Sequence, residues 1–339
     1  MEENKNKNWH DKSYKWLLLI PLILLVFSAA YLIHFNSINN DLVYKDISLI
    51  GGTSVTIQGS FDSTQVEADL FDKLNDLNVR EVFDLVTREK KALIIETTSE
   101  GDLTRQFLEQ YFGHKLNTEN SSFEFTGSNL GQSFFKQLIL AIIYAFILMG
   151  IVVFFLFAKQ KKIKALLVFL GLISPFLFFV CHALTLNQTI FFSILILIIT
   201  SVIYLKYNIP SFAVIISAFA DILMTLTLVN LLGIKMSSAG IIAFLMLIGY
   251  SVDTDILLTN RILKETGSIN KKIFSSFKTG MTMTLTSLVA FLAALIIVSS
   301  FSAVLTKIFT ILVIGLGFDL INTWITNVSL LKWHFGEKQ

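Results

Sequence analysis

SSAGIIAFLMLIGYSVDTDILL (residues 237–258) is long and apolar, yet two aspartates stand near its end. At 1.5 Å per residue, a helix of ~20 residues crosses the ~30 Å hydrocarbon core of a bilayer. Lipid offers no hydrogen-bond partners to the backbone, so a run of this kind pairs its peptide groups internally and is helical. Similar runs lie at 17–35, 134–157, 165–184, 189–205, 210–232, 281–299 and 303–327. Eight such segments predict a polytopic α-helical membrane protein. The composition agrees, with 54% hydrophobic and 15% charged residues and a mean hydropathy of +0.68. A soluble domain carries about a quarter charged residues.

The net charge of +2 conceals two halves of opposite sign. Residues 36–133 hold 8 Lys/Arg against 16 Asp/Glu, whereas the rest of the chain holds 19 against 9. An acidic domain argues against a nucleic-acid partner, because phosphate binding needs a basic surface. The basic excess falls in the connecting loops. With a cytoplasmic N-terminus, the short loops on that side carry 16 Lys/Arg, against Lys136, Lys235 and Lys307 at the opposite ends. The positive-inside rule then places both termini in the cytoplasm and residues 36–133 outside the cell membrane. Ser28 and Ala30 could mark a signal-peptide cleavage site, but the apolar run continues to Ile33 and favours a retained helix.

Residues 36–133 change period. Thr53–Gln58 is a β-rich run, and Asp62 and Ser63 can cap a helix bearing Val66, Leu70, Leu74 and Leu77. Two alternating strands follow at 79–87 and 91–98, then a helix at 101–112 and a short strand at 123–125. The order β-α-β-β-α-β is the split βαβ, or ferredoxin-like, pattern. The expected organisation is a cytoplasmic tail (1–16), a first transmembrane helix (17–35) and a small extracytoplasmic α+β domain (36–133). A bundle of about seven helices (134–327) and a second cytoplasmic tail (328–339) complete it.

Ionisable groups inside the bilayer cost several kcal/mol, so each needs a reason. Asp221 lies mid-segment and must face other helices, as a proton carrier or as a hydrogen-bonding strut. Asp253 and Asp255 diverge by ~200° around a helix and cannot share one proton site. Asp319 follows Gly315 and Gly317, which suit close helix packing. His182 stands near the outer end of its segment, where an interfacial role is the simpler reading. Gly51-Gly52-Thr53 lacks the lysine and helix start of a phosphate loop and reads as a tight turn opening a strand. The single cysteine, Cys181, excludes an intrachain disulfide, and no metal-spaced or nucleophilic set points to a metal, a cofactor or an enzyme.

Several motifs together resemble the SecD/SecF family. LIGYSVDTDILLTNRI (247–262), with Gly249, Tyr250 and Ser251 before the acids and Arg261 near the cytoplasm, is similar to that family's signature helix. KTGMTMTLT (278–286), PSFAV (210–214) and SAFADI (217–222) resemble the archaeal branch of SecF, and Gly51 and Gly52 its Gly-Gly-Thr element. The resemblance implies a SecF-type subunit of the resistance-nodulation-division superfamily. Such a subunit pairs with SecD, assists the Sec translocation channel in moving a polypeptide, and uses an ion gradient. It makes Asp221, Asp253, Asp255 and Asp319 relay candidates, with Lys278 as the cation that keeps one carboxylate ionised. The chain departs from the bacterial pattern, whose acid falls at Thr254 and whose arginine falls at Lys278. It also carries 52 residues between Phe157 and Pro210, so 158–209 reads as a two-helix insertion. The alternatives are a proton-coupled exporter of lipids or small molecules from the same superfamily, and a membrane scaffold without transport activity.

Overall fold

The structure, a computed structural model, describes residues 16–84, 87, 89–180, 184–299 and 302–336. His182 and Cys181 lie outside these described residues. Helix α1 (Leu19–Asn39) leads through the single turn α2 (Ile47–Ile50) into an α+β domain. There β1 (Gly52–Gln58), α3 (Ser63–Leu70), β2 (Asn78–Phe83), β3 (Lys90–Thr97), α4 (Gly101–Phe112) and β4 (Ser121–Thr126) follow in order. The sheet is antiparallel throughout, in the order β2-β3-β1-β4. Val55 lies opposite Ile95 on one side and Phe123 on the other.

Alternation along these strands makes two unlike faces. Val55, Ile57, Leu93 and Ile95 point into a core closed by Val66 and Leu70 of α3, Leu74 and Leu77 beyond it, and Leu108 of α4. Each such side chain contributes ~1.5–3 kcal/mol by leaving water. The helix expected from Asp62 stops at Leu70, and Leu74 and Leu77 reach the core from the turn after it. Asp62 caps α3 by accepting from the Thr64 N–H at 3.0 Å. Gly52 sits at φ +148°, and a Cβ there would lie 2.4 Å from the Thr97 carbonyl oxygen. Glycine is required where β1 begins.

The remaining helices are α5 (Ser128–Phe157), α6 (Lys161–Pro175), α7 (Leu186–Tyr207), α8 (Ile209–Leu231), α9 (Ser238–Lys264), α10 (Ile269–Val298) and α11 (Ala303–Ile321). Through a π-helical turn (Asn322–Asn327), α11 continues into α12 (Val328–Gly336). Among the described residues, seven helices are long and apolar enough to cross a membrane, where the sequence predicts eight. The expected span 165–184 is described as far as Val180, and residues 181–183 lie outside the described residues. Here α6 has 15 residues and ends at Pro175, and a π-helical stretch, Phe176–Val180, follows it directly. Proline lacks the N–H an α-helical turn needs, and the wider turn follows directly from it.

The α+β domain is tied to the bundle at one end. Asp46 N–H donates to Met236 O at 2.8 Å and Met236 N–H donates to Tyr44 O at 2.6 Å, joining the α1–α2 connection to the α8–α9 loop. Asn230 donates to Leu42 O at 2.7 Å, and Lys235 pairs with Asp76 at 3.1 Å. Lys307, near the start of α11, forms an ion pair with Asp46.

Candidate functional site

Helices α8, α9 and α11 meet in the middle of the bundle with polar faces turned inward. On α9 the buried positions Ser251, Asp255, Leu258, Thr259 and Ile262 recur at helical spacing. Asp253 falls on the opposite side and is exposed, as two residues of helical rotation require. On α8, Ser217, Asp221 and Thr225 are buried. Asp319 of α11 is 1% exposed, and the π-helical turn adds fully buried Asn322, Thr323 and Asn327. Close approach of α11 to α9 rests on Gly315, where a Cβ would meet Leu247 at 2.3 Å. Gly317 faces open space, so one of the two glycines carries the packing.

Asp221 is served on both oxygens. Ser251 Oγ donates to its Oδ2 at 2.5 Å, and Asn322 Nδ2 donates to its Oδ1 at 2.7 Å. Asp255 and Asp319 share a neighbour: Thr323 Oγ1 lies 2.9 Å from Asp255 Oδ1 and 3.1 Å from Asp319 Oδ1. Asn327 Nδ2 donates to Asp255 Oδ1 at 2.8 Å. The second oxygens, Asp255 Oδ2 and Asp319 Oδ2, are buried without a hydrogen-bond partner. None of the ion pairs among the described residues includes Asp221, Asp255 or Asp319.

The structure therefore brings together Asp221, Ser251, Asp255 and Asp319, and leaves the other candidates elsewhere. Lys278, expected as the cation beside a carboxylate, is exposed on α10. That helix buries Ser276, Gly280 and Thr284, and Lys278 lies two residues from the first two, on the far side. Arg261 donates to Ser275 at 2.8 Å and to Thr279 at 3.0 Å, fastening the end of α9 to α10. Tyr250 stacks edge-on to Phe291 of α10, and a Cβ at Gly249 would meet nothing within 4 Å. Gly51 and Gly52 open β1, far from the carboxylates in the chain. Sequence reasoning missed Ser217, Asn322, Thr323 and Asn327. Asn322, Thr323 and Asn327 follow Asp319 at three, four and eight residues inside an apolar span, which is a helical stripe of polar groups in lipid. Among the described residues, no group of three or more metal-type ligands could hold a metal ion.

Fold and site define a multi-pass membrane protein with a buried carboxylate core beneath a small antiparallel sheet domain. The family model described as protein export membrane protein SecD/SecF, C-terminal, matches residues 179–337. The protein-export membrane protein SecF of Methanocaldococcus jannaschii is 33% identical over 334 residues, covering 96% of this chain and 97% of that protein. The SecF of Methanolacinia petrolearia is 32% identical over 94% of this chain and 93% of its own length. The crystal structure of SecDF, a translocon-associated membrane protein from Thermus thermophilus, is similar in fold at a TM-score of 0.57 and 15% identity. That likeness covers 96% of this chain and 38% of SecDF, so the chain spans about two-fifths of that longer polypeptide. The chain belongs to the SecF family of protein-export membrane proteins. Membership does not favour the exporter of lipids or small molecules.

Proposed function

We propose that this chain is the SecF-type accessory subunit of a protein-export complex, pairs with a SecD-like subunit, and couples an ion gradient to movement of its α+β domain. The observation that carries this reading is the buried core of Asp221, Asp255 and Asp319. It lies between three helices, and the outer ends of the same helices hold the sheet domain through Met236, Asn230 and the Asp46–Lys307 pair. Neutralising a carboxylate in an apolar interior removes a large desolvation penalty, so its state can bias two helix packings. The helix ends then convey that bias to the domain.

Pairing with a SecD-like subunit is supported by the outward stripe of α9. Ile242, Met246, Gly249 and Asp253 are exposed at helical spacing, and Lys278 of neighbouring α10 is exposed as well. A carboxylate facing lipid is costly, and a second subunit would cover it. The resemblance and the positive-inside count support cytoplasmic termini, with residues 36–133 outside the plasma membrane, where the sheet domain would meet the Sec channel and the translocating polypeptide. The element order and the β2-β3-β1-β4 sheet support the split βαβ reading of that domain. In the insertion reading of 158–209, α6 and α7 would be an added flank, since they pack around Ile147, Ile151 and Phe154 of α5 through Leu167 and Ile196.

The test combines co-purification in mild detergent with gradient-dependent export in membrane vesicles. Asp255→Asn and Asp319→Asn should keep the SecD-like partner and lose the gradient-dependent part of export, as should Asp253→Asn. Unaltered gradient dependence in all three variants, or recovery of the wild-type chain without a SecD-like protein, refutes the reading.

A further inference from the structure

The hydrogen-bond inventory at Asp255 and Asp319 is one hydrogen short. Thr323 has a single hydroxyl hydrogen, yet its oxygen is within hydrogen-bond distance of two carboxyl oxygens, 2.9 Å from Asp255 and 3.1 Å from Asp319. A hydroxyl can donate once and accept from another group, whereas an ionised carboxylate only accepts. Both contacts are two-centre hydrogen bonds only if one carboxyl donates to Thr323 while Thr323 donates to the other. Asp221 shows the contrast, since Ser251 and Asn322 each bring it their own hydrogen.

None of the ion pairs among the described residues reaches either acid. Ser217 of α8 lies beside Asp255 and Ser251 of α9 beside Asp319, and both serines are neutral, so neither can balance a second carboxylate charge. The charged groups bearing on the pair are the two carboxyls themselves and Asp221. On α10, Lys278 is exposed, and on α9 Arg261 is engaged by Ser275, Thr279 and Glu265. Lys332 follows Asn327 by five residues on α12, where it is 7% exposed.

We propose that Asp255, Thr323 and Asp319 form a hydroxyl-bridged carboxyl pair holding one proton, and that this proton passes between the two acids through Thr323. The step balances by itself. The Asp319 Oδ1–H bond breaks as its proton joins Thr323 Oγ1, while the Thr323 O–H bond breaks as that proton joins Asp255 Oδ1. The net change is one proton moved from one acid to the other, with the hydroxyl restored and no co-reactant. Thr323 is thus the relay residue for the ion step of the function proposed above, which this inference deepens.

Infrared spectroscopy of the purified full-length chain, titrated with pH, tests it. Wild type should show a protonated-carboxyl absorption at neutral pH that survives Asp221→Asn. Asp319→Asn should abolish it, because an amide at that position can donate to Thr323 and spare the proton. Thr323→Val should shift the band and move the pH at which it disappears by ~1 unit or more, and Thr323→Ser should restore both. Thr323→Ala substitutes if the valine variant does not fold. A wild-type chain with no protonated carboxyl at neutral pH overturns the proposal. So does a valine or alanine variant that titrates like wild type, or a band that responds to sodium at fixed pH, which would mean a metal cation between two carboxylates. The spectra read the chain without export, so a protein with this bridge and no gradient-dependent export would fail the functional reading and leave the bridge standing.

Discussion

Replacing Lys307 with methionine should loosen the joint between the sheet domain and the bundle. Methionine keeps the apolar stem and removes only the ammonium, leaving Asp46 with its side chain 7% exposed and its Oδ2 without a partner. The other oxygen, Oδ1, still caps α2 by accepting from the Ile47 N–H at 2.6 Å. Two opposite charges 4 Å apart attract by ~4 kcal/mol at an effective dielectric of ~20. Stranding one member of a fully buried pair costs ~3–5 kcal/mol. Since Lys307 retains 15% exposure, the cost falls just below that range, at ~2–3 kcal/mol. Asp46→Asn should cost less, ~1 kcal/mol, because the amide keeps the cap and the lysine stem can carry its charge toward the interface. Hydrogen exchange on the full-length chain reads this locally, at the Asp46 and Met236 amides that bond across the joint. Exchange there should accelerate ~30–150-fold in Lys307→Met, at 1.36 kcal/mol per factor of ten. The double variant should resemble Asp46→Asn, with a coupling of ~2–3 kcal/mol. Exchange within ~3-fold of wild type, or strictly additive single variants, would refute the reasoning.

Gly52→Ala forces a side chain into positive φ and against the Thr97 carbonyl at 2.4 Å. It should destabilise the sheet by ~2–5 kcal/mol, read as lost exchange protection in β1 and β3; near-wild-type protection would contradict it. Gly249→Leu meets open space, so the chain should keep its thermal stability to within ~0.5 kcal/mol while recovery of the SecD-like partner falls. Unchanged recovery would place the partner on another face. The Lys90 ammonium, at 2.6 Å, and the Ser63 N–H hold the Glu81 carboxyl below the usual carboxylate range. Its contribution is therefore present above pH ~4.3 and lost as pH falls below it. Solvent screening keeps it under ~1 kcal/mol; Glu81→Gln should flatten that acid limb of the sheet's stability, and an unaltered limb would assign the acid sensitivity to other groups.

What the sequence made legible follows from how strongly each residue type constrains its place. Apolar runs of bilayer length located the membrane helices, because lipid admits few other conformations. Within 165–180 the change from α- to π-helix after Pro175 was hidden, because hydropathy averages a single proline away. Alternation at Val55, Ile57, Leu93 and Ile95 placed the sheet, although the register Val55–Ile95–Phe123 depends on pairings between distant residues that no local pattern contains. Asp221, Asp255 and Asp319 were visible as expensive charges, and the angular divergence of Asp253 from Asp255 was visible as geometry. The partners were not. Asn322, Thr323 and Asn327 cost less in lipid than a charge does, so they draw less attention individually. Only the three-dimensional packing shows that Thr323 stands between two acids. Lys278 is exposed rather than buried beside these three acids, since motif position does not fix which side of a helix faces the core.

The π-helical turn at Asn322–Asn327 carries a property that a regular helix lacks. Its wider loop contains one surplus residue relative to α-helical pitch, and such a defect can migrate along the chain by exchanging a few backbone hydrogen bonds while the helix stays whole. Each step of that migration turns the intervening side chains by ~100°. Where that turn sits along the segment therefore sets which faces Asn322, Thr323 and Asn327 present to Asp221 and Asp255. Deleting a single residue here would return the segment to plain α-helix and turn every side chain beyond it by ~100°.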